Sequence, residues 1–212
     1  MRFDEVADRL RVLPEQLPAP AEVLMPVVVG DAGPPPWRRP GAERSGRPAA
    51  VLVLLYPDDA GLARVVLTER ASRDGHHSGE VSFPGGKAEP EDADLAATAL
   101  REAAEEVALD PGQAEVRVVG LLEAFTIPVS DFAVTPVLAV AQRRPILIAS
   151  LDEVARIIEP PVARFLPDAP IAIVEREIGG WPLRYGAYEV EGLSVWGATA
   201  RILSQVGGLL RP

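Results

Sequence analysis

The chain has 212 residues, with Lys+Arg 21 against Asp+Glu 31 and a formal charge of -10 at pH 7. That length suits one domain with a sizeable core, and the acidic balance argues against a nucleic-acid-binding surface, which needs clustered Lys and Arg. With Cys 0 there is no disulfide framework, no thiolate metal site and no cysteine nucleophile, which fits a reducing compartment. The opening stretch MRFDEVADRLRVL is charged and lacks a signal-peptide core. No apolar run approaches the roughly 18 residues of a membrane span. The expectation is a soluble cytoplasmic protein with no membrane or nucleic-acid partner.

In chain order, Phe3, Val6, Leu10, Val12 and Leu13 predict a short amphipathic helix. Residues 30–48 are rich in Pro, Gly and Arg, a composition that suits an extended connector. Trp37 lies within it, either as an anchor on the body or exposed. The chain is therefore divided into an N-terminal helix and Pro/Gly-rich arm over 1–48 and a main domain over 49–212. Ala49 to Tyr56 is a continuous apolar run and reads as a buried strand. A turn over 57–61 and a return strand from Arg64 to Thr68 complete a hairpin. Glu80 to Phe83 is a short strand leading into Pro84-Gly85-Gly86. Val116 to Ala124 and Ala133 to Ala141 are further strand candidates. Leu151 to Ile158 and Pro161 to Leu166 read as helical, Gly179 to Val190 as a hairpin around Gly186, and Ser194 to Val206 as a closing amphipathic helix. Strands on both sides of one central helix, with a second late helix, make a mixed α/β sandwich.

The central helix follows the glycine turn. Asp92 or Asp94 can cap it, the residues from Ala96 to Ala108 are mostly strong helix formers, and Asp110-Pro111-Gly112 stops it. Ala96, Leu100, Ala103 and Val107 form one apolar seam. Glu102, Glu105 and Glu106 share an arc roughly 100° wide away from it. Like charges so placed repel, and a cation offsets the repulsion. The bare backbone at Gly85-Gly86 offers a carbonyl to the same ion. An all-oxygen site of this kind suits Mg²⁺ or Mn²⁺, which are held by one or two carboxylates plus substrate phosphates.

The assembly of glycine turn, spacer, Arg101-Glu102 and Glu105-Glu106 resembles the Nudix box, Gly-x5-Glu-x7-Arg-Glu-U-x-Glu-Glu-x-Gly-U, where U is a bulky apolar residue. Ala103 stands at a U position, Ala108 stands where the family usually has Gly, the spacer is one residue longer, and Asp92 replaces the upstream Glu. The preceding segment is similar to that of coenzyme A-type Nudix pyrophosphatases. Leu67-Thr68, Arg70, His77, Gly79-Glu80 and Phe83-Pro84-Gly85-Gly86 agree with it, and so does the longer acidic spacer ending at Asp92. Asp74-Gly75 replaces a Leu-Arg pair there, and Arg73, the histidines His76 and His77, or Arg70 is available to compensate. Val195-Trp196-Gly197-Ala198-Thr199-Ala200 looks like the Trp-Gly-x-Thr stretch near the end of that group.

The resemblance implies a Nudix-type α/β/α sandwich with a mixed sheet, and metal-dependent hydrolysis of a nucleoside diphosphate linked to another moiety. The coenzyme A-type resemblance implies coenzyme A or acyl-CoA as the small-molecule substrate, cleaved to 3′,5′-ADP and 4′-phosphopantetheine or its acyl derivative. Pyrophosphatase action on ADP-ribose, NADH or a nucleoside triphosphate, and a non-catalytic nucleotide-sensing module, are the alternatives; a homodimer is left open. By the same resemblance the metal ligands are Glu102, Glu105, Glu106 and the Gly85 carbonyl. Glu102 or Glu105 serves catalysis, Arg101 orients a box glutamate, and Arg70, Arg73 and His77 bind substrate. Glu80 and Glu123 are lesser metal or base candidates.

Overall fold

The computed structural model describes residues 1–30, 46–71, 80–127, 131–178 and 180–211. In chain order the elements are α1 (Phe3–Arg9), a 3-10 turn (Glu22–Leu24), β1 (Val27–Val28), β2 (Arg47–Pro57), β3 (Ala63–Val65), β4 (Leu67–Arg70), β5 (Val81–Ser82), β6 (Gly85–Lys87), α2 (Leu95–Val107), β7 (Val116–Leu121), β8 (Phe125–Ile127), β9 (Phe132–Ala141), β10 (Val154–Ile158), a second 3-10 turn (Val162–Phe165), β11 (Ala172–Ile178), β12 (Trp181–Val190), β13 (Leu193–Val195) and α3 (Gly197–Leu209).

Two apolar runs make the spine. β2 and β9 pair in parallel from Arg47↔Phe132 to Leu55↔Val140. β3 and β6 add antiparallel to β2, and β7 and β8 add antiparallel to β9, giving a mixed six-stranded sheet. Both faces of this pair are covered, which is why the strands read as unbroken hydrophobic runs. Ala50, Leu52, Leu54 and Tyr56 pack with Val137 and Ala139 against Ala99, Ala103 and Val107 of α2. Val53, Leu55, Leu138 and Val140 on the opposite face join Phe165, Tyr188, Val195, Leu203 and Val206 of the α3 side. The expected α/β/α sandwich with a mixed sheet is the observed architecture. Smaller sheets, β10-β4-β5 and β1-β12-β11 with β13 on β12, flank it. No helix among the described residues is long and apolar enough to cross a membrane.

Several elements differ from expectation. The return strand over 64–68 splits at Val66, with β3 remaining on β2 and β4 leaving to pair with β5 and β10. Residues 154–158 are a strand rather than a helix. A register shift between Val154 and Arg156 leaves Arg156 exposed between the buried Val154 and Ile158, so the alternation of a strand is broken and the pattern resembles a helix's. Gly179 to Val190 is not a hairpin about Gly186. β12 is one continuous strand whose partner is β11, and a Cβ at Gly186 would lie 2.6 Å from Ile171 and 2.9 Å from the Val23 carbonyl, so this glycine permits close packing rather than a turn. α3 begins at Gly197, because Leu193–Val195 folds back onto β12. β1 and β8 had no sequence signal. α1 ends at Arg9, burying Phe3 and Val6 with Leu10 and leaving Val12 exposed. Most of the Pro-rich arm, including Trp37, lies outside the described residues.

Candidate active site

α2 is set by its cap and its seam. Asp94 accepts a hydrogen bond from the Ala97 amide at 2.8 Å, so Asp94 is the cap. Ala99, Ala103 and Val107, at i, i+4 and i+8, carry the buried face, while Ala96 and Leu100 flank it. The helix ends on Ala108 at φ 54.

Asp92 has another task. Its Oδ1 accepts from Arg101 Nε at 3.0 Å and its Oδ2 from Arg101 Nη2 at 3.1 Å. It also accepts from Thr98 Oγ1 and from the Glu89 amide, each at 2.9 Å. The Arg101 hydrogen bond, aided by the Glu89 amide, holds the Asp92 carboxyl well below the usual carboxylate range. Arg101 also donates to the Lys87 carbonyl at 3.0 Å and lies 3.0 Å from Glu102 Oε1 and 3.3 Å from Glu105 Oε1. The guanidinium thus ties the chain after the glycine turn to the helix and fixes its neighbours in the box.

The acidic arc is not uniform. Glu105 is exposed and turned toward Arg101. The Glu102 side chain is 15% exposed. Glu106, expected on the solvated side, is 6% exposed. At 100° per residue it borders the seam instead of opposing it, and its Oε2 accepts from the Gly85 amide at 3.3 Å. Burial pushes the Glu106 carboxyl up to about 7, against the Gly85 hydrogen bond and the Arg70 charge and with help from the Glu102 and Glu153 charges. Burial likewise raises Glu102, opposed by Arg101 and supported by the Glu105 and Glu153 charges.

The glycines leave no room for a side chain. A Cβ at Gly86 would stand 2.5 Å from the Glu102 carboxylate. Gly85 has φ +155, and its Cβ would meet the Ala50 carbonyl at 2.4 Å. Two desolvated carboxylates are therefore held against bare backbone.

Glu153 carries no motif signal, since the segment around it read as helix. Its position follows from long-range hydrogen bonds. The Ile148 amide donates to the Val107 carbonyl, the Ser150 amide to the Glu106 carbonyl and the Ala71 amide to the Glu153 carbonyl, each at 2.9 Å. These fasten the turn before β10 to the last turn of α2 and to the end of β4, so the Glu153 charge acts on both Glu102 and Glu106. Arg70 stands at the end of β4, where its amide donates to the Glu80 carbonyl at 3.0 Å, and its charge reaches Glu106. Glu123 is exposed between β7 and β8, and no hydrogen bond or ion pair of the carboxylate cluster among the described residues includes it. Arg73, His76 and His77 lie outside the described residues.

Among the described residues no three Asp, Glu or His side chains converge at metal-ligand spacing. The unit present is the Glu102–Glu106 pair with the Gly85-Gly86 backbone. Hard oxygen donors of this number fit Mg²⁺ or Mn²⁺, whose remaining positions are taken by water and substrate phosphate.

The NUDIX domain family profile matches residues 46–148. The chain is 40% identical over 161 residues to Nudix hydrolase 15, mitochondrial, of Arabidopsis thaliana, covering 73% of this chain but only 55% of that protein, so it spans little more than half of that relative. It is 38% identical over 170 residues to an uncharacterized Nudix hydrolase, NudL, of Citrobacter koseri, covering 78% of this chain and 84% of the other. A crystal structure of a Nudix hydrolase from M. smegmatis, RenU, aligns with 25% identity and a TM-score of 0.46 over 57% of this chain and 73% of that one.

Proposed function

This chain belongs to the Nudix hydrolase family, and on that premise we propose that it is a divalent-metal-dependent pyrophosphohydrolase of coenzyme A or acyl-CoA, releasing 3′,5′-ADP and (acyl) 4′-phosphopantetheine. The observation that carries the hydrolytic part is the pair of desolvated carboxylates, Glu102 and Glu106, held beside the Gly85-Gly86 backbone. Glu102 and Glu106, with Glu105 and the Gly85 carbonyl, hold Mg²⁺ or Mn²⁺. Held by these residues, the ion would neutralise phosphate charge and acidify water.

The side chains do the remaining work. Arg101 orients Glu102 and Glu105 and does not touch substrate, because Asp92 and the Lys87 carbonyl occupy its other donors. Arg70 offers a guanidinium beside Glu106 to a phosphate of the substrate. Glu153 approaches the pair from outside the helix, positioned to accept a proton from the attacking water. The coenzyme A assignment is supported by Leu67-Thr68, Arg70 and Gly79-Glu80 ahead of the box and by Trp196-Gly197-Ala198-Thr199 at the end of the domain. The Thr199 hydroxyl donates to the Val81 carbonyl at 2.9 Å, which braces the strand entering the glycine turn.

The test is a substrate panel of coenzyme A, acyl-CoA, ADP-ribose, NADH and nucleoside triphosphates in Mg²⁺ and Mn²⁺, with products identified by mass. Coenzyme A is expected to give the highest kcat/KM. Turnover confined to ADP-ribose, NADH or triphosphates would remove the substrate assignment. No turnover of any compound would remove the hydrolytic one.

A further inference from the structure

Asp92 takes more hydrogen bonds than its pairing with Arg101 needs. Its Oδ1 accepts from Arg101 Nε at 3.0 Å. Its Oδ2 accepts from donors of separate origin: Arg101 Nη2 at 3.1 Å, the Glu89 amide at 2.9 Å and the Thr98 hydroxyl at 2.9 Å. The Asp92 amide returns a bond to the Glu89 carbonyl at 3.1 Å, so the turn over 89–92 is closed by main chain and side chain together. Thr98 carries no motif signal, yet it is fully buried on α2. Its hydroxyl has one proton to give. The nearer acceptor is Asp92, since the Asp94 carbonyl lies at 3.3 Å.

Thr98, Arg101, Glu102 and Glu105 fall at i, i+3, i+4 and i+7, on one flank of α2. The hydroxyl therefore stands one turn ahead of Arg101 and Glu102, in reach of the carboxylate that Arg101 also reaches. A guanidinium is planar, so gripping one edge sets the direction of its remaining N–H groups. Asp92 grips the Nε–Nη2 edge. Nη1 then lies 3.0 Å from Glu102 Oε1 and 3.3 Å from Glu105 Oε1. Held by Arg101 alone, the Asp92 carboxylate would swing with the guanidinium as a unit. Held also by the Glu89 amide and the Thr98 hydroxyl, it is pinned between the spacer and the helix. Both departures of the spacer from the box pattern meet at this point. The spacer is one residue longer, and its acid is Asp, one methylene shorter than Glu. The 89–92 turn takes up chain and brings the shorter carboxylate to Thr98 and Arg101 together.

We infer that Thr98 is a positioning residue of the hydrolytic site: its hydroxyl fixes Asp92, Asp92 fixes the plane of Arg101, and Arg101 in turn directs Glu102 and Glu105. This deepens the reading given above and rests on it for the role of the two glutamates.

Two near-isosteric variants separate positioning from packing. Thr98→Val keeps the volume and removes the donor, whereas Thr98→Ser keeps the donor and removes a methyl group. With coenzyme A as substrate, Thr98→Val lowers kcat about tenfold or more, the scale of one hydrogen bond to a charged group, and changes KM little. Thr98→Ser retains kcat, although the small void it leaves lowers the melting temperature by about 2–4 °C. A merely structural role would make activity follow melting temperature in both variants. The second readout needs no substrate. The Arg101 Nε–H resonance, identified by its loss in Arg101→Lys, exchanges slowly with water in the wild type and in Thr98→Ser, and faster in Thr98→Val. Unchanged exchange or unchanged kcat in Thr98→Val overturns the inference, and so does a loss of kcat in Thr98→Ser as large as that in Thr98→Val. Faster exchange in Thr98→Val, in a protein whose wild type hydrolyses no compound of the panel, removes the proposed activity and leaves the hold of Thr98 on Arg101 standing.

Discussion

Glu106 accepts a hydrogen bond from the Gly85 amide yet is almost wholly withdrawn from solvent, so its charge is costly until a cation arrives. Its folded pKa of about 7 lies above the ordinary value of 4.5, and the folded state therefore binds the proton more tightly than the unfolded one. The contribution is fully present below pH 4.5 and is lost as pH rises through 7, a swing of about 3 kcal/mol at most. Denaturation in chelator should show the wild type losing stability relative to Glu106→Gln between pH 4.5 and 8, and added Mg²⁺ should reverse the loss. For catalysis, Glu102→Gln and Glu106→Gln should each lower kcat by about 10²–10³-fold with the fold intact by circular dichroism. The two glycines separate in the same way. Gly86→Ala presses on the end of the Glu102 side chain, which can swing aside, so activity falls while the melting temperature changes little. Gly85→Ala presses on the Ala50 carbonyl and the Val51 backbone, so the melting temperature falls as well.

α2 ends on a left-handed residue that is not glycine. Ala108 at φ 54 carries a strain of about 1 kcal/mol that glycine would relieve. Ala108→Gly should raise the unfolding free energy obtained from chemical denaturation by about 1 kcal/mol and leave turnover unchanged. This helix was legible because capping residue, apolar seam and stop signal all agree locally, and β2 and β9 were legible because double burial leaves an unbroken apolar run. β10 was not, since its bulge leaves Arg156 exposed between the buried Val154 and Ile158 and breaks the alternation of a strand. β12 was not, since Gly186 reads as a turn when the approach of Ile171 and Val23 is unknown. At the site, the shared arc of Glu102, Glu105 and Glu106 was legible from helical spacing, and Arg101 came from the resemblance to the Nudix box. The unequal burial of Glu105 and Glu106 was not, because it depends on which flank of the helix meets β6. Glu153 had no local signature, because long-range hydrogen bonds to the last turn of α2 and to the end of β4 bring it to the helix.

At the scale of the molecule, α3 closes the sandwich through a contact that admits no side chain. A Cβ at Gly207 would stand 1.8 Å from the Phe165 carbonyl, and both partners are backbone held by their own elements. Gly207→Ala should cost about 3 kcal/mol or more, and thermal melts should show it more destabilising than any change at Glu102 or Glu106. The parallel ladder has an effect of another kind. Arg47 meets Phe132 and Leu55 meets Val140, and every element from β3 to β8 is strung between the two strands. Closing so long a loop is entropically slow. A chain leaving the ribosome therefore exposes the acidic helix and its glycine turn well before the sheet that braces them can form. A chain halted before β9 is made would carry the whole motif without the strand that pairs with β2.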